Sequence, residues 1–158
     1  MPASPASHPI ADRAAARPAM DWTARMVAGV LFLLCISLLG VAASLKPDHQ
    51  GMGTHTQLGL APCGFLQQTG MPCATCGMTT AYAHAANGNL IAAFTAQPAG
   101  AVFALITAIA ALVSGYAMIM RLSLLPLLTA LWRPRTILLL GVLVIAAWGY
   151  KIIVTQGT

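Results

Sequence analysis

The sequence predicts an all-α integral membrane protein, with three transmembrane helices plus a short interfacial helix pair following a cysteine-rich loop. Three observations carry this expectation. Only 7% of the 158 residues are charged and 58% are hydrophobic, whereas an ordinary soluble domain carries about 25% charged residues, so much of the surface must face lipid. Three long apolar runs lie at about 26–45, 99–120 and 136–154, each close to the roughly 20 residues that cross a bilayer core. Between the first two runs, the stretch Pro62–Thr80 gathers three of the four cysteines together with Pro62, Pro72, Gly64, Gly70 and Gly77.

Residues 1–25 read as a disordered tail. Pro2, Pro5, Pro9 and Pro18 fall among alanines, no apolar periodicity is present, and His8 is a solvated side chain without a partner. The rest, 26–158, reads as one membrane domain. Trp22 is placed to anchor the first span at the interface. Met26–Leu45 contains no charge and at 1.5 Å per residue reaches about 30 Å. A cleaved signal peptide is the rival reading, with Val41-Ala42-Ala43 as the cleavage site. The apolar region of a signal is only about 7–15 residues, which favours a span. Cys35, mid-span, reads as a small packed residue.

Ala99–Met120 is also uncharged, with Ala104, Ala108, Ala111 and Gly115 on one stripe of small residues. Such a stripe lets helices approach closely in lipid, within one chain or between copies. Leu122–Trp132 is apolar, too short to cross, and broken by Pro126; it is expected to lie in the interface, framed by Arg121, Arg133 and Arg135. The third span, Thr136–Val154, carries Trp148, Tyr150 and Lys151 at its interfacial end.

The net charge of +5 does not point to nucleic acid, because the bases flank apolar spans. Arg13, Arg17, Arg25, Arg121, Arg133 and Arg135 fall at one end of the predicted bundle, Lys46 and Lys151 at the other. The positive-inside rule then predicts a cytoplasmic amino terminus and a cysteine segment on the outer side, the periplasm if the chain sits in a bacterial inner membrane. The lipid bilayer is the expected surrounding; a protein partner or a homo-oligomer remains open.

After Cys76 the sequence predicts two short helices over 76–95. Met78, Ala81, Tyr82 and Ala85 form an apolar stripe, with Thr80, His84 and Asn87 opposite. Gly88 suits a left-handed helix cap and Asn89 an N-cap. Leu90, Ile91 and Phe94 continue until Gln97-Pro98. A fourth crossing is the rival, opposed by the polar residues between Thr79 and Asn89.

Cys73-Ala74-Thr75-Cys76-Gly77 has the C-x-x-C-G form of a zinc knuckle, whose tight turn aims two thiolates at one ion. Cys63 is the candidate third ligand and His55 the fourth, with His49 next. His84 lies about 12 Å of helix rise from Cys76, too far to share an ion. Zinc is the leading candidate cofactor. Met52, Met71 and Met78 would suit Cu(I) but read first as packing. Redox chemistry is the second reading: Cys73 and Cys76 as a thiol–disulfide pair, with Cys76 activated by the helix amino terminus. The third is a disulfide from Cys63 to Cys73 or Cys76 that pins an outer loop. No haem-attachment C-x-x-C-H, phosphate loop or H-E-x-x-H is present, and the acids Asp12, Asp21 and Asp48 lie outside the spans, so no intramembrane carboxylate relays protons. A binding or assembly component is expected before an enzyme.

Residues from about 60 to 100 resemble a bacterial membrane family catalogued as domain of unknown function 2752. Cys63, Phe65, Thr69, Gly70, Pro72, Cys73, Cys76, Gly77 and Thr79 follow the order of its motif. The chain departs at Ala74, where the family has Pro, and at Thr80, Asn89 and Gln97, which stand for Arg, Asp and Asn. The resemblance implies a multi-span membrane protein and supplies no activity.

Overall fold

The structure, a computed structural model, describes residues 22–156. Its helices are α1 (Trp22–Ser44), α2 (Gly64–Thr69), α3 (Met78–Ala86), α4 (Leu90–Ala96), α5 (Pro98–Met120), α6 (Leu125–Leu131) and α7 (Pro134–Gln156), with a 3-10 turn at Thr54–Leu58. The described residues contain no strand, and the all-α expectation holds. Helices α1, α5 and α7 each have 23 residues and are long and apolar enough to cross a membrane, with a rise of about 34 Å. The chain is thus a multi-pass membrane protein. Most of the tail expected over 1–25 lies outside the described residues. Its last four, Trp22–Arg25, are the first turn of α1, because no proline follows Pro18 to prevent the helix from starting early.

Helices α1 and α5 form the main packed pair. Their contact runs along the small-residue stripe: Ala104 and Ala111 are buried, and a Cβ on Gly115 would stand 3.1 Å from the Phe32 ring. The stripe therefore serves packing within the chain. At the opposite end from the cysteines, Ala28, Ala117 and Leu124 close a small core, which places the start of α1 beside the end of α5. Leu122–Trp132 does not cross. Pro126 does not break its helix but lies in the first turn of α6, where a missing N–H costs nothing.

The short pair lies on α1 and α5. Asn87 and Gly88 end α3, Gly88 with φ 79°, and the Asn89 side chain accepts from Ala92 N–H at 3.1 Å to start α4. Both caps match the sequence expectation. Ala81, Ala93, Ala96 and Ala101 form the core between α3, α4 and α5. Thr80 lies on the side opposite the apolar stripe of α3, as the sequence predicts, but that side too is covered. Thr80 is fully buried, because its hydroxyl pairs with Thr54 Oγ1 at 2.8 Å and so needs no water.

Candidate metal centre

The cysteine loop is built from three pieces. The 3-10 turn leads through Pro62 to Cys63, which begins α2. This six-residue helix ends at Gly70, in the left-handed conformation, whose N–H returns to Leu66 O. Pro72, fully buried, then delivers Cys73. The Cys73–Cys76 turn is closed by Cys76 N–H to Cys73 O at 3.0 Å and by Met78 N–H to Thr75 O at 3.1 Å. Gly77 exits at φ 88°. A side chain there would be strained by that φ, and its Cβ would also stand 2.7 Å from Gly51 O and 3.1 Å from Ala96 O. The knuckle glycine is thus fixed twice, by conformation and by close approach.

Cys63, Cys73 and Cys76 converge, their sulfurs all lying within 4.8 Å of one another. All three are free thiols, as is Cys35, buried in α1. Cys73 Sγ and Cys76 Sγ are 3.1 Å apart, well beyond the roughly 2.05 Å of a disulfide. A tetrahedral ion with Zn–S bonds of about 2.3 Å sets its sulfurs about 3.8 Å apart, so small rotamer shifts place all three on one ion. Cys73 N–H donates to Cys76 Sγ at 3.3 Å, an amide aimed at a sulfur that would carry charge when bound.

The two thiols of the turn are pushed apart in acidity. Burial works against the Cys73 thiolate, but hydrogen bonds from the Thr75 hydroxyl, the Cys76 thiol, the Thr75 backbone and Cys63 outweigh it and bring Cys73 down to about 7. For Cys76, burial comes first, and the neighbouring Cys73 and Cys63 sulfurs add to it, so it is pushed up to about 12. The expectation that the helix terminus activates Cys76 is thereby reversed. Burial of the inner sulfur beside two other sulfurs disfavours its charged form.

The sulfurs open onto a cavity of about 550 Å³. His55 lines it, but it is not part of the sulfur group; its Nε2 lies 3.2 Å from Ala61 O. His49 is exposed on the preceding loop. Met52 and Met78 line the cavity too.

Several residues that hold the site were read otherwise from the sequence or passed over. Lys151, expected at the lipid–water interface, is only 4% exposed, and its Nζ donates to Gly51 O at 3.1 Å and Ala96 O at 3.0 Å. Trp148 Nε1 donates to Pro72 O at 2.9 Å, and Tyr150 OH reaches Thr95 O at 3.4 Å. An interfacial anchor and a docking side chain share the same sequence pattern, so spacing did not separate them. Gln97, fully buried, donates from Nε2 to Ala74 O at 3.1 Å, while its Oε1 has no partner among the described residues. Ala74 and Gln97, two of the departures from the family pattern, are thus in direct contact.

These features define a multi-pass membrane protein with a three-sulfur group at one end of its helix bundle. Residues 63–111 match the family described as Protein of unknown function (DUF2752), the family that the cysteine motif resembles. The match covers 49 of the 158 residues, from Cys63 through the α3–α4 pair and just past the middle of α5. No curated protein and no solved structure matches the chain.

Proposed function

We propose that the protein is a small inner-membrane component whose outward-facing cysteine knuckle binds a thiophilic metal ion, zinc first among them, and that it acts by binding or assembly and not as an enzyme. The observation that supports this most is the convergence of Cys63 with Cys73 and Cys76, from two separate segments, as free thiols within reach of one ion. The cavity leaves room for a fourth ligand, His55, water or a group from a protein partner or second copy. The outward orientation is supported by charge. Arg25 and Arg121 lie at the end away from the cysteines, with Arg133 and Arg135 at the start of α7. Lys151 is buried, so Lys46 is the one exposed base of the cysteine end among the described residues.

Metal analysis by mass spectrometry on detergent-purified protein, with a parallel thiol count, tests the reading. One ion per chain with the three thiols masked supports it. No ion with three reactive thiols removes it.

A second reading is favoured by the split acidity of the pair. In a thiol–disulfide oxidoreductase, the Cys73 thiolate attacks a substrate disulfide and expels one substrate thiolate. Cys76 then loses its proton and attacks Cys73 Sγ, releasing the second thiolate. The Cys73–Cys76 disulfide that remains is reduced again by an external dithiol. Cys76→Ser would trap the mixed disulfide, and failure to trap any disulfide substrate argues against this chemistry.

A further inference from the structure

A buried ammonium needs a negative partner. Lys151 donates to two carbonyl oxygens, both neutral, and burying a charge that is hydrogen-bonded but unpaired remains costly. Asp48 is the sole carboxylate among the described residues. Its Oδ1 accepts from Gln50 N–H at 2.8 Å, and it makes no ion pair with Lys151. The sulfur group is the remaining source of negative charge. Nζ lies 3.3 Å from the position of a Cβ on Gly77, the residue after Cys76, so the ammonium sits against the backbone of the knuckle turn.

We propose that Lys151 is the built-in counter-charge of the metal–thiolate centre, and that the centre is matched by charge to a divalent ion. This rests on the metal-binding reading above. Loading forms three metal–sulfur bonds and sends the thiol protons to solvent. Three thiolates around a divalent ion carry one net negative charge, and Lys151 cancels it. The loaded anion and the ammonium, each costly to bury alone, form a neutral pair beside the bilayer. A monovalent soft ion such as Cu(I), which the thioethers of Met52 and Met78 would welcome, leaves the assembly one charge short. Lys151 touches no metal; it is a positioning residue that acts through its charge, held beside the knuckle turn by the Gly51 and Ala96 carbonyls.

The test uses the full chain in detergent, stripped of metal and titrated with Zn(II) against a competing chelator and with Co(II) for its sulfur charge-transfer band. Lys151→Gln removes the charge yet keeps two N–H donors for the Gly51 and Ala96 carbonyls. Lys151→Arg keeps the charge. The expected result is that K151Q weakens Zn(II) binding about 10–100-fold, shifts the Co(II) band and shrinks the Zn(II)-induced rise in melting temperature, while K151R restores most of each. A K151Q variant that loses stability without metal but keeps wild-type Zn(II) affinity and Co(II) spectrum overturns the proposal, since Lys151 would then be a carbonyl clamp only. Wild-type protein that holds Cu(I) through Met52 and Met78 and rejects Zn(II) also overturns it while leaving a metal centre in place. Wild-type protein that binds no metal removes the metal-binding reading as well, which keeps the two failures apart.

Discussion

Trp148 of the third span donates its indole N–H to the carbonyl of Pro72, 2.9 Å away and 76 residues earlier in the chain. Pro72 is fully buried and immediately precedes Cys73. Helix α7 touches α5 and α6 only lightly, so this bond and those of Lys151 and Tyr150 are the side-chain links that tie its far end to the cysteine loop and the short helices. Trp148→Phe keeps most of the packing and strands a buried carbonyl. Leaving such an acceptor unpaired costs about 1–3 kcal/mol, so the melting temperature in detergent should fall. Cys73 should also become more accessible to thiol reagents.

Gly77→Ala should be among the most damaging single changes in the loop. At φ 88° an L residue is strained by roughly 1–2 kcal/mol, and the added Cβ meets Gly51 O at 2.7 Å. Gly59→Ala, at φ 75° with open space around it, carries strain alone. Comparing the metal content and melting temperature of the two variants separates conformation from close approach, and Gly77→Ala should lose more of both.

Thr80→Val tests the polar link between the 3-10 turn and α3. It removes the buried bond to Thr54 Oγ1, while Thr54 Oγ1 still accepts from Asp48 N–H at 3.0 Å. A loss of about 1 kcal/mol is expected, read as faster hydrogen exchange over the 3-10 turn.

Without metal, Cys73 should react as a thiolate near neutral pH. A thiol is the nucleophile only once deprotonated. Labelling at Cys73 should therefore rise with pH through about 7 and level off above it. Cys76, pushed up to about 12, should stay inert across the same range. Mass spectrometry of alkylated peptides after short exposures at each pH reads both curves. Bound metal should flatten the Cys73 curve.

In cells, a maleimide that cannot cross lipid should label Cys63 and Cys73 of metal-stripped protein without lysis if the proposed orientation, argued from the charge asymmetry, holds. Labelling only after lysis would reverse the orientation.

The spans were legible because a bilayer imposes length and composition directly, and the structure moves their ends by only a few residues. The caps at Gly88 and Asn89 were legible because they follow from backbone chemistry within four residues. Helix α2 was missed although Gly70 signals its end; Gly64–Thr69 is too short to show a periodicity. Long-range polar pairs were not legible at all. Trp148 with Pro72, Lys151 with Gly51 and Gln97 with Ala74 are set by packing of segments distant in sequence, and a lysine at the end of an apolar run reads as an interface residue until its neighbours are known. The Cys73–Cys76 pair was visible in its C-x-x-C spacing, and Cys63 was a candidate third ligand by its place in the same loop, but only the fold brings its sulfur to the other two.

In the proposed centre, Cys63, Cys73 and Cys76 share one ion. X-ray absorption at the zinc edge on the loaded protein counts its sulfur ligands directly. Three sulfurs at about 2.3 Å, falling to two in Cys63→Ser, is the predicted result. A spectrum with two or fewer sulfurs in the wild type, unchanged by removing Cys63, would contradict it.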